Sequence, residues 1–129
     1  MQAMKPAPSD RATLHRWSEI PLENLTPLLD RRLVTGERVM LAHAHLKRGC
    51  VVPMHRHVHE QFAYIVQGKV KFTLGEETGE TLILTPGEVL HLPSDLPHKA
   101  EALEDSLVLD VFSPPREDWL AKTDDYLRK

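Results

Sequence analysis

An all-β fold closed by a short C-terminal helix is predicted for this 129-residue chain on three observations. From Glu37 onward, short runs of alternating apolar and polar residues recur roughly every 6 to 12 residues. Between them stand the residues that turns require: Gly68, the stretch GEETGE at 75 to 80, Pro86-Gly87, SDLP at 94 to 97, and Glu104-Asp105. Only after Ser113-Pro114-Pro115 does the pattern change to helix formers.

Residues 1 to 13 hold two prolines and few apolar groups and read as a loose arm, leaving residues 14 to 129 as one domain. IPLENLTPLL, residues 20 to 29, carries two further prolines and holds at most a short helical turn. Seven strands are then expected, over residues 38 to 46, 61 to 67, 69 to 74, 81 to 85, 88 to 93, 98 to 103 and 106 to 112. In KVKFTL, Val70, Phe72 and Leu74 face one way while Lys69, Lys71 and Thr73 face the other, the mark of a half-buried antiparallel strand. In RVMLAHAHL, Met40, Ala42, Ala44 and Leu46 form the apolar set, so His43 and His45 point away from the core. The tail REDWLAKTDDYLRK has acidic residues early and basic ones late, matching a helix dipole, with Trp119, Leu120 and Leu127 as its apolar stripe. No internal repeat is present.

Composition narrows the function. The hydrophobic fraction is 41%, ordinary for a globular chain, and the net charge of −3 leaves no basic stripe for nucleic acid. Cys50 is the only cysteine, which excludes an internal disulfide and a cysteine-based zinc cluster and suits a small apolar residue in or near a strand. No apolar run reaches the roughly 18 residues needed to cross a bilayer, and the N-terminus lacks the apolar middle of a signal peptide. A cytoplasmic protein with no membrane or nucleic-acid partner is expected.

The stretch MHRHVHEQ, residues 54 to 61, places His55, His57, His59 and Gln61 at every second position. On a strand these share one face, which suits a metal site, a pocket for an acidic ligand, or a polar outer surface. Divalent metals such as Zn²⁺, Fe²⁺, Ni²⁺ and Mn²⁺ accept imidazole nitrogen and carbonyl oxygen, and His98, just after Pro97, is placed to add a ligand from a distant strand. Glu60, by alternation, faces the other side. In SLVLDVF, Asp110 falls among apolar residues, either salt-bridged at the surface or turned into a pocket for proton transfer. Arg116 is either a clamp for the tail or the two-pronged grip for a substrate carboxylate.

Gly49, His55, His57, Gln61 and Gly68 fit the spacing of the first cupin motif, with glutamine where glutamate is usual. Gly87, Pro93 and His98 fit the second, with Asp95 replacing a glycine and Ala102 an asparagine. The chain therefore resembles the cupins, which implies a double-stranded β-helix (jelly-roll) barrel with a metal in its mouth. The resemblance implies one divalent transition metal per chain (Zn, Ni, Fe or Mn), held by His55, His57, Gln61 and His98. Three neutral imidazoles and a neutral amide leave such an ion its full charge, favouring Lewis-acid over redox chemistry. Since imidazoles bind metal only when neutral, affinity is expected to fall below about pH 6.5.

The segment Asp-x-Phe-x-Pro-Pro-Arg-Glu-Asp looks like that of the pectin-degradation cupins, which open and ketonise 4,5-unsaturated uronates. That resemblance implies Asp110 and Arg116 as catalytic residues, with Phe112 as a pocket wall. His59, in the loop between strands, and His91 are expected to line the substrate pocket as well. A metal-dependent oxygenase and a non-catalytic small-ligand-binding module are the alternatives. The partner expected is a small carboxylate or sugar acid. A homodimer is expected as well, through Met40, Ala42, Ala44 and Leu46 or through the N-terminal arm.

Overall fold

Strict alternation along the chain builds two antiparallel sheets packed face to face, in a computed structural model that describes residues 11–128. The ten strands are β1 (Glu23–Thr26), β2 (Leu29–Thr35), β3 (Met40–Leu46), β4 (Val51–His55), β5 (Glu60–Gln67), β6 (Val70–Leu74), β7 (Glu80–Leu84), β8 (Val89–Leu92), β9 (His98–Ala102) and β10 (Ser106–Ser113). The larger sheet runs β1-β2-β3-β10-β5-β8 and the smaller β4-β9-β6-β7. A helical turn at Trp17–Glu19 precedes them, and α1 (Glu117–Leu120) with a final 3-10 turn at Asp125–Leu127 follows.

The interior is shared between the inward rows of both sheets. Met40, Ala42, Ala44 and Leu46 of β3 are buried, as are Ala63 and Ile65 of β5, Val108 and Phe112 of β10, and Val70 and Phe72 of β6. Many inward side chains near the sheet centres are alanines, which leaves space between the layers. Cys50 belongs to this core, and burial pushes its thiol up, as a small apolar residue requires. Among the described residues, no helix is long and apolar enough to cross a membrane.

Three sequence expectations are corrected. Residues 20 to 29 supply β1 and the start of β2 rather than a helical turn, because Pro21 precedes β1 and Pro27 falls in the tight turn between the strands, where a missing N–H does no harm. The short C-terminal helix is present as α1, but it covers only Glu117–Leu120 and does not extend through the tail to Leu127. The chain turns at Lys122, whose φ is 58°, and folds back so that Trp119 and Leu127 are both buried. Met40, Ala42, Ala44 and Leu46 are core residues and so form no surface for a second copy. The arm expected over residues 1 to 13 lies, up to residue 10, outside the described residues.

Gly68 turns the chain between β5 and β6 with φ 92°, and a Cβ there would stand 2.5 Å from the Asp105 carbonyl oxygen. Gly68→Ala therefore forces both a left-handed alanine and a backbone shift. It is expected to cost at least about 2 kcal/mol, read from the denaturant midpoint at unchanged slope.

Candidate metal centre

The two sheets meet at a group of three histidines. His55 and His98 are direct cross-strand partners on β4 and β9, beyond a register irregularity that starts at Val52. His57 does not extend a strand with His55. β4 ends at His55, and residues 56 to 59 form a loop that the backbone bond from Asp95 N to the His57 carbonyl, 2.8 Å, ties to the turn before β9. The ring centroids lie 4.3 Å apart for His55 and His98, 5.0 Å for His57 and His98, and 5.5 Å for His55 and His57. One ring nitrogen from each lies within 4.8 Å of the others, a spacing suited to three ligands of one ion.

The hydrogen bonds decide which nitrogen is offered. Nδ1 of His55 lies 2.7 Å from the Pro53 carbonyl, that of His57 3.0 Å from the His59 carbonyl, and that of His98 2.9 Å from the Leu96 carbonyl. A carbonyl only accepts, so each Nδ1 carries the hydrogen and each Nε2 keeps a lone pair. Nε2 of His57 is buried without a partner among the described residues. Gln61, on β5 of the other sheet, repeats the arrangement. Its Nε2 donates to Asp110 Oδ1 at 2.9 Å, and its Oε1 is buried and likewise has no partner among the described residues. The donor set therefore fits a divalent metal, with one locked lone pair from each imidazole and an amide oxygen beside them.

Electrostatics keep the histidines ready. Burial, reinforced by His98, lowers the His55 pKa to about 4, and burial with the nearby Arg116 charge lowers that of His57 to about 3. Burial also lowers His98. The metal-competent neutral form thus persists below the pH 6.5 expected from free imidazole. Burial raises the Asp110 carboxyl in the opposite direction, to about 6, with the Gln61 bond and Arg116 opposing the rise.

Asp110 and Phe112 lie on the buried face of β10, so the carboxylate points inward rather than to solvent. One cavity is lined by His55, Gln61, His98, Asp110, Phe112 and Arg116 among mostly apolar walls. Arg116 begins the tail, with two nitrogens bonded to Asp118 and one of these also to the Tyr126 hydroxyl, at 2.6 to 3.0 Å. Burial would lower its pKa, but Asp118 and Tyr126 hold it above the usual value. Its Nη1 is buried and unpartnered. Arg116 is thus a clamp for the tail that keeps one donor free.

His59 stands at the edge of the site, its ring 5.4 Å from that of His57. His91 does not reach the cavity, and its placement as a pocket wall is corrected. Its neighbour Leu92 takes the inward position of β8, so His91 faces out, meets Glu60 at 2.6 Å and lies 4.9 Å from the Phe62 ring. Among the cavity residues that escaped the sequence reading are Arg31, Tyr126 and Leu25. The alternation Leu29, Arg31, Leu33 would have flagged Arg31 as an inward charge had β2 been recognised. Tyr126, whose ring stacks on that of His55 at 4.6 Å, carries no such signal.

Residues 42–112 match the family described as the cupin domain. The pectin degradation protein KdgF of Dickeya dadantii is 30% identical over 105 residues, covering 79% of this chain and 93% of that protein. The solved structure of KdgF from Halomonas sp. superimposes with a TM-score of 0.78 at 34% identity, covering 84% of this chain and 99% of that one. Oxalate decarboxylase of Bacillus subtilis, whose Mn(II) centres are described, matches with a TM-score of 0.68 at 26% identity, and this chain spans 33% of its length.

Two outcomes follow. His98→Ala is expected to weaken divalent-metal binding more than about 100-fold in a chelator competition titration, since even an outer partner of a ligand is worth about 10- to 100-fold. For the metal-free protein, histidine pKa values depressed in the fold mean that the unfolded chain binds more protons between about pH 6.5 and 4. Stability should fall as pH drops through that window, opposed by the raised carboxyl of Asp110 below about pH 6. Thermal unfolding from pH 7 to 4 checks this, with a shallower slope expected for His57→Gln.

Proposed function

The chain belongs to the cupin family, and from that premise we propose that it is a metal-assisted isomerase acting on a 4,5-unsaturated uronate or a similarly small sugar acid. One observation carries the reading. The same cavity is lined by His55 and His98, whose Nδ1 bonds leave Nε2 a lone pair, by the Gln61 amide oxygen, by the buried Asp110 carboxylate, and by Arg116 with an unmet donor among the described residues. The likeness to the two KdgF proteins supports the substrate class.

A divalent ion held by His55, His57, Gln61 and His98 would supply a Lewis acid for the substrate's oxygens, at nearly full charge because all four ligands are neutral. Arg116 contributes fixed geometry. Asp118 and Tyr126 hold its guanidinium, and the remaining Nη1 receives an oxygen of the substrate carboxylate. Asp110 contributes the proton step. Ring opening gives an enol, and ketonisation removes its O–H proton and adds one at carbon, so a single carboxylate that takes and returns a proton suffices. Burial tunes Asp110 to about 6, near the pH at which transfer in both directions is efficient. Phe112 and Trp119 wall the cavity and limit water around the reacting atoms.

The test is an NMR time course of metal-loaded protein with an unsaturated galacturonate, against the spontaneous reaction and run both in air and under nitrogen. Faster loss of the alkene signal, equal in both atmospheres, is expected; a requirement for O₂ would favour an oxygenase. Asp110→Asn should lower turnover by about 100- to 10,000-fold. It should leave metal affinity within about threefold, because the asparagine carbonyl still accepts from Gln61 Nε2. Full activity in that variant would remove Asp110 from the role.

A further inference from the structure

A guanidinium has five N–H donors, and each left bare in an apolar interior costs hydrogen-bond free energy. Arg31 on β2 is 1% exposed. Its Nε donates to Glu23 at 2.8 Å and its Nη1 to Asp124 at 2.6 Å. Its Nη2 is buried and has no partner among the described residues. The charge itself is already answered, since Arg31 pairs with both Glu23 and Asp124, which it shares with Arg128 and, for Glu23, with Lys122. What Nη2 lacks is an acceptor oxygen, not a counter-ion.

The location of this unmet donor points to a ligand. Arg31 lines the same cavity as His55, Gln61, Asp110 and Arg116. In the sheet it stands opposite Ala44, whose methyl group leaves room above the strand, and Ala44 in turn pairs with Val108. The guanidinium carbons of Arg31 and Arg116 lie 4.4 and 4.7 Å from the centre of the Trp119 ring, and all three residues line that cavity. Each keeps one buried donor unused.

We propose that Arg31 is a specificity-determining residue. Its Nη2 donates to a hydroxyl or carbonyl oxygen on the body of a bound acid, away from the carboxylate. The cavity therefore selects polyoxygenated acids over acids with a bare hydrocarbon body. This rests on the reading of the cavity as a small-acid site, and not on turnover.

Binding to the Zn²⁺-loaded protein, followed by calorimetry, tests it with two probes of similar size, galacturonate and cyclohexanecarboxylate. Wild type should bind galacturonate more tightly. Arg31→Met and Arg31→Lys should each weaken galacturonate about tenfold, the worth of one hydrogen bond to a charged group, while cyclohexanecarboxylate changes less than about twofold. The lysine variant keeps a positive charge for Glu23 and Asp124, so it guards against simple misfolding, and thermal unfolding is recorded for both. Removing a buried ion-pair partner lowers the melting temperature in either case, whereas a residue that only pins the tail would weaken both acids equally. That result overturns the proposal, as would no preference, or no binding of either acid, in the wild type. Turnover is measured separately. If wild type discriminates the acids through Arg31 but converts no uronate, the isomerase reading falls alone; if it converts uronate while Arg31→Lys behaves as wild type, this inference falls alone.

Discussion

The site depends on one repeated interaction, the acceptance of an imidazole Nδ1–H by a backbone carbonyl two residues away. It sets the tautomer, aims Nε2 inward, and converts backbone conformation into ligand geometry. Loop 56–59 and the turn at 93–97 must therefore hold their shapes, and they hold each other through the bond from Asp95 N to the His57 carbonyl. Asp95 has φ 64° at the place where the cupin motif has glycine, a conformation that aspartate tolerates better than most residues. Gln61 obeys the same logic with a side-chain acceptor, the Asp110 carboxylate, turning its amide oxygen free.

The tail gives the cavity its polar wall. Trp119 and Tyr126 line it from either side of the turn at Lys122, which brings the indole Nε1 to 3.2 Å from the Tyr126 hydroxyl. Asp124, fully buried, ties this return to Arg31 and Arg128. Cavity-lining donors are thus held by ion pairs that join β1, β2 and the tail across the sequence. Neutralised charges of this kind act as scaffolding whose value lies in direction more than in binding energy.

How much was legible follows from where each signal resides. The strands after Glu37 could be read because alternation and turn residues are local properties. The outward phase of His43 and His45 came with them, while Asp110 stayed open between the surface and a pocket until β10 placed it inward. β1 and β2 were hidden by prolines at their boundaries and by Arg31, whose burial makes sense only through Glu23 and Asp124, the latter 93 residues away. His55, His57 and His98 were visible through motif spacing, although the loop holding His57 was not. His91 misled because its phase depends on where β8 begins. Tyr126 was invisible because its position is set by a reversal in the tail that no local pattern announces.

The burial of Cys50 bears on how this chemistry can be studied. Its thiol is enclosed by the core, and its pKa is raised, so it offers little thiolate to oxidants or alkylating reagents. With no other cysteine in the chain, the protein can be handled without dithiothreitol or mercaptoethanol. Those thiols chelate soft divalent ions, so leaving them out allows the affinity of the histidine cluster to be titrated in a buffer that does not compete for the ion.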